Sequence, residues 1–215
     1  LAGFVAFAII AALVQARLLA GFDLAVTQAK QPLVNASLDS FGELLAMLVS
    51  TEVCLVYAAV LALLLWRAGV GRWSLATFAF LLLTPLEFAG KLLINQPPVP
   101  DEYYRGVYYP FETLVFQGTF PSGHAMRTAF FCAFVVLLLR ARGSASLPLV
   151  SFAAALFTAA CALSRVYLGY HWLSDVIAGA ILGASLALVV AELVRSSRGD
   201  AGIGRILTQR RRDAE

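Results

Sequence analysis

The sequence predicts an all-α integral membrane protein, a six-helix bundle with a cap loop on its extracytoplasmic side. Three observations lead there. Of the 215 residues, 60% are hydrophobic and 13% charged, with a mean hydropathy of +0.82, whereas a soluble domain carries roughly 25% charged residues. The apolar residues gather into six runs, each near the ~20 residues a helix needs to cross the hydrocarbon core. Backbone polar groups find no water inside a bilayer, so helices are the structure such runs can form.

The predicted spans are Leu1–Leu19, Leu44–Trp66, Trp73–Ile94, Gly123–Leu139, Leu147–Arg165 and Ser174–Val194. The first lacks a basic leader and reads as a span rather than a cleaved signal peptide. The chain opens on Leu1 rather than Met, which leaves its true N-terminus open. The fourth run is short and leaves little room for tilt. Residues 1–195 make one membrane domain, followed at 196–215 by a basic tail ending in QRRRDAE. Between the first two spans, FDLAVTQAKQPLVNASLDSFGE mixes polar and apolar residues around Pro32; an interfacial helix and a plain loop both fit it. The segment NQPPVPDEYYRGVYYPFETLVFQGTFPS, 95–122, is rich in Pro and Tyr. Aromatic side chains favour the membrane–water boundary, which predicts a folded cap there. Cys54, Cys132 and Cys161 each fall inside an apolar run and read as packing thiols, without disulfide or metal spacing. A net charge of +3 suggests no nucleic-acid partner.

Positive charge sets orientation. With six spans, the side holding both termini carries Arg67, Arg72, Arg140, Arg142, Arg195, Arg198, Arg205, Arg210, Arg211 and Arg212. The other side carries Arg17, Lys30, Lys91, Arg105, Arg127 and Arg165. Ten against six places both termini in the cytoplasm.

Three polar motifs then meet on the extracytoplasmic side: Lys91 at the end of span three, FPSGHAMR (120–127) opening span four, and SRVYLGYHWLSD (164–175) between spans five and six. Charged groups at such depth are costly and point to a working site. Pro121 suits the first turn of a helix. Ser122 offers a hydroxyl, Gly123 allows close backbone approach, and the free N–H groups of a helix start attract phosphate. His124 has the ordinary pKa for proton transfer near neutrality. Arg165 can fork onto two phosphate oxygens. His171 and Asp175 are four apart, so on a helix the carboxylate holds Nδ1 and leaves Nε2 to attack.

Each motif alone also has a structural reading: a turn, a helix-surface hydrogen bond, a snorkelling lysine. The only two histidines of the chain lie at one membrane face among phosphate-type ligands, which favours the functional reading. Two His and one Asp could also ligate a metal, but the accompanying lysine and arginine oppose a cation.

At these residues the sequence resembles the type 2 phosphatidic acid phosphatase family, whose superfamily includes lipid phosphate phosphatases and vanadium haloperoxidases. PSGH at Pro121–His124 and the spaced set Ser164, Arg165, His171 and Asp175 match its second and third segments without exception. The resemblance runs from span three through span six. It implies a metal-independent, cofactor-free lipid phosphatase. His171 is the nucleophile, Asp175 orients it, and His124 is the general acid and base. Lys91, Ser122, Gly123 and Arg165 hold the phosphate. The first segment departs from the pattern. The family arginine, seven residues after the lysine, falls on Pro98, and a shift of two brings Gln96 there. Arg105 or Arg127 would supply the missing charge; alternatively Arg127 forms a structural ion pair with Glu52 or Glu87.

The expected partners are the bilayer and a lipid phosphate such as undecaprenyl pyrophosphate, phosphatidylglycerol phosphate or phosphatidic acid. Transfer of the phosphoryl group to an alcohol and non-catalytic lipid binding are the alternatives.

Overall fold

The computed structural model describes residues 1–106 and 118–212, with side chains as far as Ser196. Part of the expected cap, 107–117, and the last three residues lie outside the described residues. The architecture is all-helical: α1 (Ala2–Gln15), α2 (Ala20–Ala29), α3 (Ala36–Leu48), α4 (Thr51–Arg67), α5 (Gly71–Ala76), α6 (Leu83–Leu93), α7 (Gly123–Ala141), α8 (Leu147–Tyr167) and α9 (Leu173–Arg212), with short 3₁₀ turns between some of them. Four stretches are long and apolar enough to cross a membrane: Gly71–Leu93, Gly123–Ala141, Leu147–Tyr167 and Leu173–Ser196. Two bent helix pairs bring the number to six if each pair is one span.

The bent pairs change the first two expected spans. The first ends at Gln15, because Arg17 takes a left-handed conformation (φ 61°). Its N–H bonds to Val14 O and that of Leu18 to Leu13 O, the Schellman arrangement that closes a helix. The chain then turns 90° into α2, so the mixed-polarity segment is largely helical. The second expected span is broken at Ser50, whose Oγ accepts the Val53 N–H at 3.3 Å and starts a new helix. The axes of α3 and α4 differ by 51°. The third span is continuous but tightens to 3₁₀ over Thr77–Leu82, just ahead of Pro85, whose ring would clash with the carbonyl four residues back. The last span runs on as helix through Arg212, so the basic tail continues α9.

At the centre, α7 and α9 pack almost backbone to backbone. Gly179, Gly183, Ala187 and Ala191 recur every four residues on α9, the small-residue spacing that lets membrane helices approach. A Cβ at Gly183 would overlap Met126 O, and one at Gly179 would lie 2.6 Å from Ser122 O. Phe80, Phe130, Phe134 and Trp73 fill the core beneath, all nearly inaccessible. Cys54 and Cys161 are buried among these helices as packing thiols, and Cys132 is partly buried. The outer face of α8 exposes Leu149, Phe152, Leu156 and Leu163, as a lipid-facing helix does.

Candidate active site

The end of α6, the start of α7, the end of α8 and the start of α9 lie at one end of the bundle, which brings the three motifs together. Helix-end geometry makes each junction. Ser122 is the N-cap of α7, its Oγ accepting the Ala125 N–H at 3.5 Å. Pro121 therefore sits one residue ahead of the cap and not in the first turn. Gly123 and His124 are the first two helical residues, which puts their N–H groups among the donors a helix start leaves open. The Ser122 N–H bonds to Asp175 O at 3.1 Å, tying the second motif to the third.

The third motif folds differently from a continuous helix. α8 ends in a Schellman turn: Gly169 is left-handed (φ 78°), its N–H bonds to Val166 O, and the Tyr170 N–H bonds to Arg165 O. The His171 N–H shares Arg165 O at 3.3 Å. The five residues between Arg165 and His171 are thus the last two of α8 and a three-residue turn that returns the histidine to the arginine. His171 precedes α9 rather than lying on it. Asp175, third in α9, reaches back to accept the Trp172 N–H at 3.0 Å, half of a capping box. The same Oδ2 lies 3.3 Å from His171 Nδ1, so the expected pair forms by capping.

Asp175 and Ser122 are fully buried, and Arg165 and His171 are nearly so. Burial holds the His171 imidazole below its ordinary value of 6.5, because desolvation penalises the imidazolium; Asp175 opposes this, and Arg165 and Lys91 add to it. His124 lies within electrostatic reach of Arg165, Arg127, His171 and Lys91. The Arg165 guanidinium covers the Tyr170 ring at 3.7 Å, a cation–π contact that fixes its plane. The Tyr170 hydroxyl donates to Glu43 at 3.1 Å.

Glu87 joins the first motif to the second. Its Oε1 is 2.8 Å from Lys91 Nζ and its Oε2 is 3.1 Å from Arg127 NH1. Arg127 Nε also reaches Val49 O, at the break between α3 and α4. The Arg127–Glu87 ion pair is thus present; Glu52 is near enough to feel Arg127. Arg105 is held by Asp39 through two bonds of 3.0 and 2.7 Å. Gln96 donates to Asp23 and to Ser174 Oγ. Each candidate for the place of the missing arginine is therefore engaged with a carboxylate.

Sequence reasoning missed two supports. Asp23, buried on α2, accepts the Ser174 N–H at 2.9 Å and its hydroxyl at 2.6 Å, so it caps α9 from outside. Lys30 donates to Val166 O, Tyr167 O and Tyr103 O and closes the end of α8. An acidic residue amid the apolar run of α2 was the available signal for Asp23; the partners of Lys30 are backbone oxygens and leave none. Among the described residues, no three His, Cys, Asp or Glu side chains are grouped as a metal would need.

No curated protein sequence matches the chain significantly. The fold is similar to the crystal structure of a transmembrane PAP2-type phosphatidylglycerolphosphate phosphatase from Bacillus subtilis, with a TM-score of 0.76 and 22% identity over 91% of this chain and 95% of that one. The sequence also matches the PAP2 superfamily over residues 73–198, from the third span through the last. That match covers more than half of the chain and every motif residue above, and the protein belongs to the PAP2 superfamily.

Proposed function

We propose that the protein is an integral membrane lipid phosphate phosphatase working through a phosphohistidine. The observation that carries this reading is the buried His171–Asp175 pair, bound through the Ser122 N–H to the start of α7 and lying within reach of Lys91 and Arg165. With Nδ1 engaged, Nε2 is the nitrogen available for attack. In the first step Nε2 bonds to phosphorus, the bond from phosphorus to the lipid oxygen breaks, and protonated His124 gives its proton to that oxygen. In the second, His124 takes a proton from water, the oxygen bonds to phosphorus, and the P–N bond breaks to release phosphate and neutral His171. Lys91, Arg165, the Ser122 hydroxyl and the Gly123 N–H hold the non-reacting oxygens, whose charge changes along the reaction. Fixed cations take the part that a metal plays in other phosphatases.

A lipid substrate is supported by an apolar groove of about 660 Å³ between α7, α8 and α9. Leu173, Val176, Ala162 and Ala129 line it toward the motif end of the bundle, and Val136 and Ser151 line it about two to three turns further along. One end of it is lined by Leu173, two residues after His171, and its apolar walls suit a hydrocarbon tail. The Bacillus subtilis structure, similar in fold, is of a phosphatidylglycerolphosphate phosphatase. Positive-charge asymmetry supports a site on the extracytoplasmic face of the cell membrane, with both termini inside.

The test is phosphate release by the purified protein from phosphatidylglycerol phosphate, phosphatidic acid and undecaprenyl pyrophosphate, with and without an alcohol acceptor. Release from at least one lipid is expected, at a rate unaffected by the alcohol. Phosphorylated alcohol as the main product would make the protein a phosphotransferase. No turnover of any lipid phosphate would leave lipid binding as its role.

A further inference from the structure

Glu87 places a carboxylate inside a site otherwise suited to an anion. It bridges Lys91 and Arg127 and lies against Gly123 so closely that a Cβ there would overlap both carboxylate oxygens. A phosphate held by the first turn of α7 would therefore be its neighbour. The carboxylate is 15% exposed, so water screens it only in part. It also feels the His171 side chain. Among the described residues, the cations about the motifs are Lys91, Arg127 and Arg165, with the carboxylates Glu87 and Asp175 and, beyond Tyr170, Glu43. The segment following Lys91 adds no cation at Gln96, Pro97, Pro98 or Val99.

Resting on the phosphatase reading, we propose that Glu87 is a specificity-determining residue: it limits the negative charge the phosphate cradle accepts and so favours a lipid phosphomonoester over a diphosphate. The argument is Coulombic. Repulsion between a fixed carboxylate and a bound anion grows in proportion to the anion's charge. A diphosphate carries at least one more negative charge than a monophosphate near neutrality, so Glu87 weakens it more. Arg127, on the other oxygen of Glu87, acts with opposite sign.

The experiment measures equilibrium binding of inorganic phosphate and of methylenediphosphonate, which is not hydrolysed, to the full chain in detergent. Glu87→Gln should raise the ratio of diphosphonate to phosphate affinity on the order of tenfold, the scale of one extra charge beside a half-screened carboxylate. Glu87→Asp should leave that ratio near the wild type, and Arg127→Gln should lower it. A folded Glu87→Gln protein with an unchanged ratio would overturn the proposal, since a merely structural ion pair would shift thermal stability and not the ratio. If Glu87→Gln does not fold, the Glu87→Gln/Arg127→Gln double variant, which leaves neither charge unpaired, is compared with Arg127→Gln: a higher ratio supports the proposal and an equal one refutes it. Failure of the wild type to bind either anion would defeat the phosphatase reading itself.

Discussion

Asp175 Oδ2 serves two neighbours, accepting the Trp172 N–H at 3.0 Å while it faces His171 Nδ1 at 3.3 Å. One carboxylate thus starts a helix and orients an imidazole. In the proposed mechanism His171 attacks only when neutral, and its pKa is held below the ordinary value. The acid limb of kcat/KM is therefore expected below pH 6.5. Asp175→Asn removes the group that favours the imidazolium, so the limb should move to lower pH while kcat falls roughly 10²–10⁴-fold. A limb that stays or moves upward would refute the pairing. The grouping of Arg165, His171 and Asp175 was legible in the sequence from their spacing in the motif. The geometry behind that spacing was less so: His171 and Asp175 looked like a helical i, i+4 pair, while the structure pairs them across a helix start.

The helix ends set that geometry. α4, α7 and α8 close with the same Schellman turn, with Gly69, Gly143 and Gly169 left-handed. At Gly169 the turn also lies under the cap segment, where a Cβ would sit 2.5 Å from Tyr103 O. Gly169→Ala meets both a disfavoured φ, costing about 1 kcal/mol or more, and a backbone clash. It should displace His171 from Arg165 and lower kcat at least about tenfold, the cost expected of misplacing a reacting group, with the far-ultraviolet helical signal retained. Gly143→Ala, where nothing lies within 4 Å, should keep wild-type turnover. Equal activity of the two variants would show that the turn does not position His171 for the proposed reaction. Among the described residues, glycine marks three of the four Schellman ends. The end of α1 carries Arg17 instead, so composition alone extended the first span past its true end.

Across the whole molecule, hydropathy identified the bundle because burial in lipid demands long apolar helices. It did not show the bends after Gln15 and at Ser50, since capping is local and leaves composition unchanged. The proposed orientation, argued from charge asymmetry, has the site facing outside the cell. A cysteine at position 101 should react with an impermeant thiol reagent from outside intact cells, and one at position 143 should not. The reverse pattern would move the chemistry to the cytoplasm. The most direct measurement on the central claim is rapid quenching of the purified protein during turnover of a ³²P-labelled lipid phosphate. A label stable to alkali and lost in acid, mapped to His171 and absent from His171→Ala, is the expected result. Near wild-type turnover by His171→Ala, or a label on any other residue, would contradict the mechanism.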